Sequence, residues 1–199
     1  MKKNLGDLAK IFRCTLPRDL AERPREPIYW KRGPIPVWYN ISLDDIDPDT
    51  GFIRENDLVA VKPREAPGAY AIEPTDILFC FQGVSSRTGQ VAMLLHELAA
   101  IPGRTLGIIR PHGCDPVWLY YRLREIDIEK ELCPQISGRK TFLHFSRIRQ
   151  MELEMPTDEE VGKINQIHQR IVKNYLGWTG ELQKEQNRLK EIFYAHKKK

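Results

Sequence analysis

Two stretches of this 199-residue chain carry side chains whose types and spacing suit contact with a polyanion. The first reads Gln82-Gly83-Val84-Ser85-Ser86-Arg87-Thr88-Gly89-Gln90. Between Asp76 and Glu97, Arg87 is the only Asp, Glu, Lys or Arg, and Ser85, Ser86 and Thr88 set hydroxyls beside it. A guanidinium on a Gly/Ser loop between two apolar segments can hold a phosphate or bond a guanine edge bidentately. The same arginine can equally well cap its own loop. The second stretch runs from Pro134 to Gln150. It holds Arg139, Lys140, Arg147 and Arg149, interleaved with Phe142, His144 and Phe145, and contains no acidic residue. That is the composition of a phosphate-contacting surface, the alternative being a solvated basic loop. A Pro/Arg-rich segment from Pro17 to Arg32 has a weaker claim, because Asp19, Glu22 and Glu26 dilute its charge.

Other chemistries lack their residues. There is no Gly-x-Gly-x-x-Gly and no Walker loop to cradle a nucleotide. No lysine has Asp or Glu two positions before it, the pattern a metal-dependent nuclease usually supplies. Asp115-Pro116-Val117-Trp118 is the nearest text to a base-methylating loop, and it reads better as a helix start, Asp as N-cap and Pro at the first helical position. The five histidines show no ligand spacing. His112 and Cys114 are close, but only distant Cys133 could join them, so no zinc or other cofactor is expected. Cys14, Cys80, Cys114 and Cys133 form no Cys-x-x-Cys pair and read as reduced structural thiols. No catalytic constellation is expected.

A net charge of +4 permits nucleic-acid binding without arguing for it. No apolar run approaches the ~20 residues needed to span a bilayer, and the N-terminus lacks an apolar signal core. The reading is therefore a cytoplasmic protein with no membrane partner.

Strands and turns must position the two loops. Residues 4 to 14 suggest a turn of helix running into a strand. Val37, Tyr39, Ile41 and Leu43 alternate as a strand does, and Asp47-Pro48-Asp49-Thr50-Gly51 follows as a turn. Ile77-Leu78-Phe79-Cys80-Phe81 is a short apolar run that fits a buried strand, with 91–95 as its hairpin partner. Another strand is expected over 104–110, then a helix from Asp115 carrying Trp118, Leu119, Tyr121, Leu123 and Ile126 inward. Met151, Leu153 and Met155 alternate with glutamates as a last short strand. Strands not regularly interleaved with helices point to an α+β domain over 1–156.

Residues 157–199 read as one long helix. Thr157 and Glu160 have capping-box spacing after Pro156. Val161, Ile164, His168, Ile171, Tyr175, Trp178, Leu182, Glu185, Leu189 and Ile192 recur at alternating steps of three and four, a heptad seam with two polar interruptions. The eight apolar members (Val161, Ile164, Ile171, Tyr175, Trp178, Leu182, Leu189 and Ile192) are the expected oligomerisation residues of a coiled-coil stalk. Because the seam keeps phase across Gly177 and Gly180, a continuous helix is favoured over a hairpin broken there.

These pieces, in this order, resemble one target-recognition domain of the specificity (S) subunit of type I restriction-modification systems. The resembling text begins with Leu5-Gly6-Asp7-Leu8-Ala9-Lys10-Ile11-Phe12, Asn40-Ile41-Ser42-Leu43-Asp44-Asp45-Ile46 and Asp76-Ile77-Leu78-Phe79. It continues with Gly83, Gly89-Gln90-Val91-Ala92, Ile108-Ile109-Arg110-Pro111 and Trp118 to Leu123. It closes with Ser137-Gly138, Ile148 to Met155, and Pro156-Thr157-Asp158-Glu159-Glu160. No single motif is specific; their order carries the likeness. The resemblance implies a non-catalytic subunit that reads double-stranded DNA and assembles with a DNA methyltransferase (M) subunit and a restriction (R) subunit. Family members carry two such domains joined by antiparallel helices, whereas this text holds one of each. That implies a half-size reader, homodimeric through its helix, with one half-site per chain. The rival expectation is an adaptor or S-subunit mimic that docks partner helices without touching DNA.

Overall fold

The structure, a computed structural model, describes residues 1–13, 38–55, 58–61, 71–83, 87–126 and 141–196. The chain divides into two compact units, Met1–Met155 and Pro156–Lys199. In chain order the first unit contains β1 (Lys2–Asn4), α1 (Leu5–Leu8), β2 (Ala9–Arg13), β3 (Trp38–Ile41) and β4 (Val59–Val61). Next come β5 (Ile77–Cys80), β6 (Gln82–Gly83), β7 (Val91–Met93), β8 (Ala100–Pro102) and β9 (Leu106–Pro111). Last are α2 (Pro116–Glu125), β10 (Thr141–Phe142), α3 (Phe145–Arg149) and β11 (Glu152–Glu154). The second unit is α4 (Asp158–His196). This is a strand-rich α+β arrangement followed by a long C-terminal helix.

Four strands pair in the order β2-β9-β5-β7, every pair antiparallel. A second sheet runs β4-β3-β8, with β3 and β8 parallel. Side-chain alternation explains why 77–81 is apolar at every position. Leu78 and Cys80 join Ile108, Leu106 and Ala92 in one core with Ile41 and Ala100 of the second sheet. Ile77, Phe79 and Phe81 fall on the opposite face and are also buried. A strand covered on both sides reads as an unbroken hydrophobic run. Phe79 needs further room on its face. A Cβ on its cross-strand neighbour Gly107 would lie 2.5 Å from the Phe79 ring, so only glycine lets the ring lie across β9.

The short strands β1, β4, β6 and β8 are not legible in the sequence. β8 is three residues long and ends in proline, and β1 is recognisable only by its partner, since Lys2↔Glu154 and Asn4↔Glu152 pair it with β11. That pairing brings the two ends of the unit together, Met155 N–H donating to the Met1 carbonyl at 2.9 Å.

The helix over 116–125 starts as read: the Asp115 carboxylate accepts from Trp118 N–H at 2.8 Å, with Pro116 in first position. Its inward face differs at Tyr120, Tyr121 and Ile126. Tyr120, not Tyr121, is fully buried, while Tyr121 and Ile126 are half-exposed. The cause is the 47–51 turn on which α2 rests. Tyr120 stacks on Phe52, ring centroids 6.2 Å apart, and donates its hydroxyl to Thr50 O at 2.8 Å. Burial raises its phenolic pKa. Asp47 Oδ1 organises the turn by accepting from Asp49 and Thr50 N–H, and Gly51 closes it at φ +72°.

Within the second unit, α4 runs 39 residues without interruption. The capping box is formed: Thr157 N–H and Oγ1 both donate to Glu160 Oε2, at 2.7 and 3.0 Å, and Glu160 N–H returns a bond to Thr157 Oγ1. Those bonds from Thr157 hold the Glu160 carboxyl below its usual range. Gly177 and Gly180 stay helical, with nothing within 4 Å of where a Cβ would stand. Between them Thr179 donates to the carbonyls of Tyr175 (2.9 Å) and Leu176 (3.1 Å). Two glycines each weaken a helix by about 1 kcal/mol but do not by themselves break it. No helix among the described residues is long and apolar enough to cross a membrane.

Gly51→Ala should be among the more damaging small substitutions. Its φ is positive, and a Cβ would stand 2.6 Å from the Tyr120 hydroxyl oxygen. A loss of about 1–3 kcal/mol is expected from the lowered denaturant midpoint, and an unchanged midpoint would refute the tie between turn and helix.

Candidate nucleic-acid interface

The two stretches that sequence singles out are joined by backbone. β6 and β10 pair antiparallel, Thr141 opposite Gly83 and Phe142 opposite Gln82. Leu143 N–H then donates to Phe81 O at 2.8 Å. The loop that follows Gly83 and the segment that ends at Thr141 therefore attach to the fold side by side. Beneath the joint lies an aromatic cluster. Phe145 packs at 5.5 Å from Phe79 and 5.3 Å from Phe81, and Phe142 meets Phe81 edge-on at 5.7 Å. The Phe side chains between the basic residues thus seat the 141–149 segment on the back of β5, a role their spacing alone did not reveal.

Arg87 sits at the far end of the 82–90 loop, and its donors face the protein. Nε bonds Gln90 Oε1 at 3.1 Å and Nη1 bonds Asp44 Oδ1 at 3.2 Å. Nη2 donates to the carbonyl of Leu43 and, at 3.5 Å, to that of Ile46. The segment it grips is a 3-10 turn, Leu43–Asp45, in which Asp45 Oδ2 accepts from Ser42 N–H (2.7 Å) and Ser42 Oγ (2.6 Å). Arg87 therefore takes the loop-capping alternative, extended to a turn more than forty residues away in sequence. Thr88 is buried beside it and Gly89 turns the chain at φ +85°. Asp44, Ile46, Pro48, Arg54, Arg87 and Gln90 together line an open cleft.

Of the other expected contacts, Arg147 and Arg149 are exposed on α3. Arg149 also anchors that helix, Nη2 donating to Ile11 O at 2.6 Å, while its own backbone crowds Gly6. Ser85, Ser86, Arg139 and Lys140 lie outside the described residues, as does the 17–32 segment. Sequence reasoning passed over Arg13. Its guanidinium carbon lies 4.9 Å from the centre of the Phe81 ring, at the end of β2. The available signal was a cation at a strand end, directly before the Pro/Arg-rich segment.

Among the described residues, no group of three or more His, Cys, Asp or Glu is placed to hold a metal ion. The two described cysteines are poor nucleophiles. Burial pushes the Cys80 and Cys114 thiols up to about 11, so both are protonated at neutral pH. Asp76 and Arg110, both in the resembling text, form a structural pair. Arg110 Nε and Nη2 each lie 2.8 Å from a carboxylate oxygen of the wholly buried Asp76. That bond raises the arginine pKa further, and the guanidinium also lies over the Phe12 ring.

Arg87→Ala should lower stability by about 1–3 kcal/mol, because several carbonyl acceptors lose their donor. The Asp44 contact adds little, since that carboxylate is 82% exposed. Arg87→Lys should not restore the loss, an ammonium being unable to match acceptors that diverge around a planar fork. Thermal unfolding of both variants checks this; a wild-type midpoint for the alanine variant would return Arg87 to the pool of free surface cations.

No family model matches the sequence, and no curated protein matches it significantly. Solved structures do match. The HsdS subunit from Thermoanaerobacter tengcongensis aligns with a TM-score of 0.52 at 19% identity, over 88% of this chain and 39% of that one. A chain from a structure on complex assembly and conformational transition of the type I R-M system aligns with a TM-score of 0.53 at 19% identity, over 95% of this chain and 43% of that one. The chain spans about two fifths of the length of the structures it matches. At that identity the likeness is one of fold: an S-subunit-like arrangement of strand-rich unit and long helix.

Proposed function

We propose that this chain recognises duplex DNA as a specificity element of a type I restriction-modification-like system. It reads one half-site per copy and recruits partner subunits that carry out methylation or cleavage. One observation supports the reading: on an S-subunit-like fold, β6–β10 pairing sets Gln82–Gly83, where the 82–90 loop begins, beside Thr141–Phe142 of the acid-free basic stretch that ends at Gln150. Arg147 and Arg149 supply phosphate contacts together with Arg139 and Lys140. Ser85, Ser86 and Thr88 belong to the loop that approaches the bases, and Arg87 holds that loop in place. Residues 1–156 form the reading domain and 157–199 the assembly helix. The proposed protein therefore has no reaction of its own; methyltransferase and restriction subunits supply the chemistry.

Binding of this kind depends steeply on salt, each neutralised phosphate adding about −0.9 to the slope of log K against log salt. Arg147→Ala should flatten the slope by roughly 0.9, and replacing Arg139, Lys140, Arg147 and Arg149 together should flatten it by several such steps. Mobility shifts of the purified chain on duplex DNA between low and moderate salt measure this directly. A quadruple variant with an unchanged slope would remove the phosphate assignment. A wild-type chain that binds no duplex at low salt would favour the adaptor reading.

The seam of α4 is the proposed assembly face. Ile171 is 37% exposed and Trp178 61%, and Val161, Ile164 and Tyr175 share their stripe. Leu182, Leu189 and Ile192 continue it in sequence, although their side chains lie outside the described ones. Two copies paired along this stripe would give a symmetric reader, favouring a split site with matching halves. Trp178→Ala should weaken self-association by about tenfold or more, in line with exposed tryptophans as interface anchors. Sedimentation across a concentration series checks it, and an unchanged monomer–dimer balance would assign the tryptophan to a different partner.

A further inference from the structure

Phe142 is a large apolar side chain of the first unit that stays partly exposed. Among that unit's described residues, Phe142 is, besides Met1, the one large hydrophobic with substantial exposure. Phe142 is 38% exposed, while Phe81, which supports it edge-on at 5.7 Å, is fully buried. On the other side the His144 ring stands 5.2 Å away, also edge-on. His144 precedes α3 without a side-chain capping bond, so its ring is not committed to the helix. The Arg13 guanidinium lies over the same Phe81 ring at 4.9 Å, and among the described residues no carboxylate pairs with it. A firmly backed aromatic face, an imidazole and a cation thus share one edge, where the two loop stretches are joined.

Resting on the DNA-binding reading above, we propose that Phe142 is a base-contacting side chain. Its exposed ring makes the apolar contact with a base of the duplex, while Arg13 and His144 hold the adjoining backbone. The chemistry favours DNA over a protein partner. The local chain from Pro134 to Gln150 has no acidic residue, and an apolar ring flanked by donors complements a thymine methyl flanked by phosphates at a duplex groove. The packing supplies rigidity: contacts to Phe81 and His144 restrict the ring before any partner arrives, so little side-chain freedom is lost on binding.

The test begins by selecting duplexes from a randomised library with the full-length wild-type chain. Affinity and salt slope are then measured on the selected duplex for Phe142→Ala, Phe142→Leu, Phe142→Tyr and Arg13→Ala. Expected results are a loss of about tenfold or more for Phe142→Ala with an unchanged salt slope, because no phosphate contact is removed. Phe142→Tyr should recover most of the affinity. Phe142→Leu preserves apolar bulk against Phe81, so it separates a folding defect from loss of the aromatic ring; it should remain weaker than Phe142→Tyr at a wild-type melting temperature. Arg13→Ala should flatten the slope by roughly 0.9. If the alanine and leucine variants bind the selected duplex as wild type does, Phe142 is not at the bases, although DNA recognition stands. That result, with lost binding to a methyltransferase subunit, would make the patch a protein-docking point and overturn the proposal. Failure of the wild-type chain to enrich any duplex would overturn both the contact and the reading beneath it.

Discussion

The first unit depends on one strand being dry on both sides. Burial of Leu78 and Cys80 joins the two sheets, and burial of Ile77, Phe79 and Phe81 holds the 141–149 segment against the back of the larger one. Fully burying side chains of this size contributes about 1.5–3 kcal/mol each before entropic costs. The second face is the less obvious of the two. It exists because Gly107 leaves a gap in β9 that the Phe79 ring occupies, and because Phe145 of the basic 141–149 segment closes over it. The candidate interface is thus built from residues whose neighbours are core, which fixes where its loops begin and end.

That arrangement determines what could be read from the amino-acid text. The 77–81 strand, the 47–51 turn and the Asp115-Pro116 helix start are local: their hydrogen bonds and φ angles are satisfied within a few residues, so residue type alone identifies them. The capping box of α4 and its unbroken course were legible for the same reason. The fate of Arg87 was not. Its acceptors are carbonyls at 43 and 46, and a carbonyl has no signature in sequence. Nor was the choice of Tyr120 over Tyr121 as the inward ring, which the partner turn decides rather than the helix period. Of the residues proposed at the interface, Arg139, Lys140, Arg147 and Arg149 announced themselves by charge. Phe142 and Arg13 became distinct only when strand pairing and ring contacts had placed them.

In the second unit the long helix carries its own resolution of a local conflict. Glycines at 177 and 180 weaken the middle of α4, and Thr179 between them ties back to the preceding turn. Exposed Ile167 lies beside the seam as well as Ile171 and Trp178 upon it, so the apolar stripe in the first half is wider than a strict two-position seam.

The pairing of β1 with β11 also sets an order of events during synthesis. Lys2–Asn4 is made well before its partner Glu152–Glu154, which emerges roughly 8–30 s later at ordinary elongation rates. Until then the first strand has no neighbour on that edge. The closing contact, Met155 to Met1, forms only when the residues leading into the long helix are already being made. A newborn chain therefore completes its strand-rich unit at about the moment it begins to display the long helix, so the order of synthesis itself disfavours exposing that helix on a half-formed first unit.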